Sequence, residues 1–213
     1  MIRVSENDSG NFTPVDPGVY IARCVKLYDL GTTLSPYKDD KGKDKYNHQV
    51  QIMFEIPSEI IEGGEYDGMP RCMSVWDNLS LHENATLRKH LIAWRGKPFS
   101  EQELKDFDLK TIVGVPCQIQ IIHKKDGKAK IDNIMAMLKG GLCDEQITKS
   151  VIFDLEDYLA GDKSVYDELA EKMQVRIDSC NEVQQAIRDN GETPQPPDVD
   201  PRTNTETQDD VPF

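Results

Sequence analysis

Two stretches of this 213-residue chain gather lysines. Lys38, Lys41, Lys43 and Lys45 lie in one polar run, residues 31–45, that also carries Tyr37 and ends beside Tyr46. Lys124, Lys125, Lys128 and Lys130 crowd a second run, with only Asp126 between them to offset the charge. Ammonium groups at this density suit the phosphates of a polyanion. Aromatic rings beside them suit unpaired bases, because every base has a π-face whatever its identity. Tyr28, Tyr37, Tyr46 and Trp76 are the candidate stacking residues, and Lys26 is a further candidate cation. A charge run is more often a solvated face than a site, so the elements that carry these residues decide the matter.

Other chemistries find little support. His48, His82, His90 and His123 form no HxH or HxxxH pair, no glycine-rich phosphate loop is present, and the acidic pair Asp39-Asp40 has no partner identifiable from sequence. Cys24, Cys72, Cys117, Cys143 and Cys180 are odd in number, scattered and never in a CxxC pair. They read as small buried hydrophobes, not as a disulfide framework or a zinc site. No enzyme activity, metal or cofactor is expected.

The formal net charge is −13, which at first argues against a nucleic-acid partner. Its distribution matters more. Residues 1–143 are near neutral at −1, whereas residues 144–188 and 189–213 each carry −6. A near-neutral body with basic projections can attract phosphates, and the acidic last third should repel them. No window approaches the roughly 18 apolar residues of a membrane span, and the first residues lack the apolar run of a signal peptide, so a cytoplasmic protein without a membrane partner is expected.

Residues 1–16 are polar and read as a loose lead-in. A first strand follows over Val19–Leu30, with Val19, Ile21, Val25 and Leu27 on one face and Tyr20, Ala22, Cys24 and Tyr28 on the other. Residues 31–45, with Pro36 and Gly42, are too long for a hairpin turn and make a candidate functional loop. A second strand runs from Tyr46 until Pro57 ends it, with Val50, Ile52, Phe54 and Ile56 facing inward. A third spans about Met69–Leu79. Ser80 to Glu83 has capping-box spacing ahead of Leu87, Leu91 and Trp94, with Gly96 placed to end that helix; Ser100 to Glu103 repeats the box. Leu91 and Trp94 should plug the bottom of a barrel. A hairpin closes the series, its strands flanking Asp126-Gly127, the pair that a type I′ turn wants.

Strand, strand, strand, helix, strand, strand is the order of an OB-fold, a five-stranded Greek-key barrel with a helical connection between strands 3 and 4. The class expected is therefore mainly β, with the barrel in residues 17–143. The loops that such barrels use on oligonucleotides follow strand 1 and join strands 4 and 5, which is where both lysine clusters fall. Beyond it, Val165, Leu169, Met173 and Ile177 recur at helical spacing and Val183, Ala186 and Ile187 continue it, giving a short acidic helical appendage over 144–188. Residues 189–213 are rich in Pro, Thr, Asn, Gln and acid and read as a disordered linker. It ends in Asp209-Asp210-Val211-Pro212-Phe213. That end offers a ring for an apolar pocket and carboxylates for basic residues, the makings of a docking peptide.

DDVPF at the end of such a linker resembles the C-terminal tip of bacterial single-stranded DNA-binding proteins. The body, through VYIARCVKLYDLGT, LSLHENATLRKHLIAWRGKPFSEQELKDFDLKTIVGVPCQI and GKAKI, is similar over roughly residues 17–140 to a group of phage-encoded proteins taken to be OB-fold single-stranded DNA-binding proteins. The resemblance implies a chain that coats single-stranded DNA without strong sequence preference in phage replication, recombination or repair, within the host cytoplasm. It implies recruitment of host or phage enzymes through the tip and leaves a homo-oligomer open. The rival reading is an acidic decoy whose carboxylates mimic DNA phosphates; the lysine clusters speak against it. A metal-dependent nuclease is a more distant alternative.

Overall fold

A computed structural model describes residues 13–38, 41–64 and 66–191. The sheet is built on one strand, β1 (Gly18–Lys38), whose 21 residues run far beyond the segment expected. It is followed by β2 (Asp44–Ile60), β3 (Pro70–Asn78), α1 (Thr86–Arg95), β4 (Pro116–His123), β5 (Ala129–Met135), β6 (Val151–Phe153), α2 (Leu155–Leu159), α3 (Glu171–Asp178) and α4 (Asn181–Asp189). The sheet path is β3-β2-β1-β4-β5, all antiparallel, and β6 joins β1 in parallel at Lys26, Leu27 and Tyr28. The mainly-β class and the helix between strands 3 and 4 are as the sequence suggests. Among the described residues the strands number six, because residues 144–188 supply one of them.

A bulge decides which residues of β1 face inward. Cys24 pairs with Phe54 and Lys26 with Met53, so Val25 is an extra residue. One extra residue reverses every later side chain. Ala22 and Cys24 face the main core before it and Leu27 does so after it, while Val19 and Ile21, expected on one face with Leu27, are exposed. That core also takes Val50, Ile52, Phe54 and Ile56 from β2, Val75 from β3, Leu87, Leu91 and Trp94 from α1, Ile119 and Ile121 from β4, and Ile131 and Ile134 from β5. Trp94 lies 5.4 Å from Phe54, ring to ring, and its indole N–H donates to the Pro116 carbonyl at 3.0 Å. Val15 is buried in the same core and its carbonyl bonds His123 at 2.9 Å, so the lead-in is anchored by its last residues.

Several local expectations are corrected. β2 continues past Pro57 to Ile60, because its pairing with β3 is irregular between Ile56 and Ile60 and the missing N–H of proline breaks no ladder bond there. The box at Ser80 and Glu83 does not form. Ser80 Oγ accepts from His82 N instead, and α1 begins after Ala85 with no side-chain cap. Gly96 does end the helix, at φ 66° with its N–H on the Ile92 carbonyl. The second box forms: Glu103 accepts from Ser100 N at 2.8 Å and Ser100 Oγ from Glu103 N at 3.2 Å, over a run of turns, not a helix. The β4-β5 turn is not type I′. Asp126 has no positive φ; Gly127 N donates to the Lys124 carbonyl and Gly127 alone is left-handed, at φ 84°. That is a type I turn with a glycine bulge, the three-residue hairpin.

Residues 144–188, read from sequence as a helical appendage, pack against β1. Phe153, Leu155, Met173, Ile177, Cys180 and Val183 bury a second core together with Tyr28 and Leu30 of β1. The five cysteines are free, and burial pushes the thiols of Cys24 and Cys180 up to about 12. Among the described residues no helix is long and apolar enough to cross a membrane.

Candidate nucleic-acid interface

The expected loop over residues 31–45 is a two-stranded arm. β1 and β2 stay paired through Thr32 with His48, Thr33 with Asn47, Leu34 with Tyr46 and Lys38 with Asp44. β3 pairs with β2 no further than Gln49 and β6 with β1 no further than Tyr28, so among the described residues the two strands beyond His48 have only each other as strand partners. An isolated hairpin is marginal in water, and the base of this one is braced. Glu182 at the start of α4 accepts from Thr32 N at 2.8 Å and Thr32 Oγ1 at 2.6 Å. Asp29 accepts from Gly31 N and lies 2.5 Å from His48 Nε2, while His48 Nδ1 is 3.8 Å from Glu182. The bond to Asp29 raises the His48 pKa against the opposing effect of burial. Gly31 permits the approach: at φ 65°, a Cβ there would meet Cys180 Sγ at 2.6 Å.

The arm exposes the groups that the sequence singled out. Tyr37 is 75% and Tyr46 53% exposed, and Lys41, Lys43 and Lys45 are exposed with them. Lys38 is exposed too but bridges Asp44 at 2.9 Å. At the opposite end of β1, where Gly18 pairs with Ile121, the β4-β5 hairpin carries the second cluster. Lys125 is exposed, Lys124 and Lys128 are half-buried, and Lys130 lies 3.4 Å from Asp132. The two clusters thus stand at the two ends of the longest strand.

Between them the candidate residues are covered. Tyr28, Gln51 and Trp76 form one row across β1, β2 and β3, and Lys26, Met53 and Ser74 form the next, all on the face away from the main core. Tyr28 is 6% exposed inside the second core, and burial pushes its phenol up to about 12; it cannot stack on a base there. Trp76 is half-buried against the same core, with the Arg176 guanidinium of α3 4.6 Å from its ring centroid. Lys26 is half-buried and desolvation lowers its pKa. Glu55 on this face is fully buried and accepts from Ile147 N at 3.1 Å and Thr148 N at 2.5 Å, fixing the crossing segment to the sheet. Residues 144–191 therefore lie over the β1-β2-β3 face that carries Tyr28, Trp76 and Lys26.

Glu182, His48, Asp29 and Arg176 were missed from sequence because their partners lie up to 150 positions away. The docking residues Asp209, Asp210, Val211, Pro212 and Phe213 lie outside the described residues. Among those described, no group of three His, Cys, Asp or Glu side chains is placed to hold a metal ion. No family model and no curated protein matches the chain.

Proposed function

We propose that the chain binds single-stranded DNA without strong sequence preference, gripping it with the β1-β2 arm and the β4-β5 hairpin of an OB-type barrel. The observation that carries this reading is the arm. It extends beyond the sheet and exposes Tyr37 and Tyr46 among Lys41, Lys43 and Lys45, the alternation of ring and cation that unpaired nucleotides need. The barrel is supported by the path β3-β2-β1-β4-β5, by approach of its two end strands β3 and β5, and by α1 closing the core beneath them. The likeness of DDVPF to a docking tip supports recruitment of replication, recombination or repair enzymes of a phage or its host by residues 209–213.

Anisotropy of a labelled oligothymidylate titrated with the protein across a salt series tests the reading. Affinity should fall steeply with salt, by roughly 0.7 in log K per log salt for each phosphate neutralised. The acidity of residues 144–191 favours one rival, a decoy that occupies a DNA-binding enzyme. Such a protein binds no oligonucleotide at any salt.

A further inference from the structure

The contact between α3 and the sheet is under-satisfied in a specific way. Trp76 Nε1, Gln51 Oε1 and Arg176 Nε are buried and have no hydrogen-bond partner among the described residues. They are neighbours: Gln51 and Trp76 pair across β2 and β3, and the Arg176 guanidinium lies over the Trp76 ring. Gln51 is 1% exposed and its amide N–H bonds Ser74 Oγ at 3.0 Å, which leaves the carbonyl unused. Buried polar atoms are nearly always partnered by protein, water or ligand, so three at one contact mark a place where a bound group can add hydrogen bonds. The Arg176 side chain is held by the Trp76 ring and by one hydrogen bond, to Gln49 Oε1 at 2.5 Å, and among the described residues it has no carboxylate partner.

We propose that Trp76 is a second base-stacking site, closed in the free protein by Arg176, and that an unpaired nucleobase takes the place of the guanidinium on the indole. This rests on the single-stranded DNA reading above and extends it to a face that residues 144–191 cover. A guanidinium is planar and stacks on aromatic rings as a base does, so it covers the ring face on which a base would stack. The Gln51 carbonyl suits a base edge, since it can accept from an exocyclic amino or ring N–H. Arg176, once displaced, becomes a cation for the adjoining phosphate. The helical unit does not leave the sheet. The buried side chains of the second core hold it, and only the Arg176 side chain swings.

The test follows Trp76 emission, taken as the difference between wild type and Trp76→Phe, since Trp94 is the only other indole. Oligothymidylate should quench it, and an abasic oligomer of equal length and charge should not. Arg176→Ala should tighten oligothymidylate binding roughly three- to tenfold by removing the stacked guanidinium. Arg176→Lys, which keeps the charge without the planar stack, should also tighten it and carries the comparison if the alanine variant fails to fold. Oligothymidylate that binds with unchanged Trp76 emission, and with equal affinity for wild type and both variants, would overturn the gated site while leaving the arm and hairpin as the interface. Absence of binding by every variant would overturn both readings.

Discussion

The ends of β1 and its middle teach opposite lessons from similar residues. At the ends, the arm and the β4-β5 hairpin expose lysines and, on the arm, Tyr37 and Tyr46. In the middle, Tyr28 sits in a second hydrophobic core and Trp76 lies under an arginine. Residue type does not separate Tyr28 from Tyr37; what covers each of them does. β2 shows why the middle is closed, since Gln51, Met53 and Glu55 alternate with Ile52 and Phe54 and yet all five are buried. A strand buried on both faces has a layer on each side, and residues 144–191 are the second layer.

The contrast is sharpened first by stability. Trp94→Ala should cost ~3 to 5 kcal/mol, because the ring is enclosed beside Phe54 and its N–H bond is lost with it. Denaturant unfolding measures this, and an unchanged midpoint would show that α1 does not close the core. Ile177→Ala, in the second core, should cost ~2 to 5 kcal/mol. If that layer is integral to the sheet, the variant unfolds in one transition whether followed by far-ultraviolet or by Trp fluorescence. Two separated transitions would make residues 144–188 a unit that unfolds independently of the sheet.

On the exposed side, Tyr37→Ala combined with Tyr46→Ala should weaken oligothymidylate binding by ~1 to 3 kcal/mol for each base left unstacked, with little change in the salt slope. A loss of slope instead would mean that these tyrosines act by positioning lysines. The smallest effect belongs to the brace at the arm's base. His48 has a raised pKa from its bond to Asp29, helped by Glu182. Its stabilisation is full below the unfolded value of about 6.5 and is lost as pH rises through the higher folded value. The advantage of wild type over His48→Gln should therefore shrink as pH rises above about 6.5. An advantage that does not vary with pH would place the proton elsewhere.

Where the chain's own neighbours set the structure, the sequence was legible. Leu87, Leu91 and Trp94 at helical spacing lie on the buried face of α1, and the Ser100 and Glu103 box forms. The β4-β5 hairpin was legible as an element, but not in its turn type, which the backbone of Asp126 decides. The Val25 bulge was not legible, since one extra residue leaves the apolar pattern intact while exchanging its faces. Nor was the arm, whose polar strands are held by pairing and by Glu182. The lysine clusters were found because charge density is local. The cover over Tyr28 was not, because it comes from more than 120 residues downstream.

The most direct measurement is the salt dependence of oligothymidylate binding for the wild type and for two four-lysine variants. One changes Lys38, Lys41, Lys43 and Lys45 to Ala, and the other changes Lys124, Lys125, Lys128 and Lys130. Each set should lower the slope of log K against log salt, by up to roughly 0.7 per phosphate contact removed, and weaken all sequences about equally. A wild-type protein that fails to bind, or slopes that both variants leave unchanged, would contradict an interface at the two ends of β1.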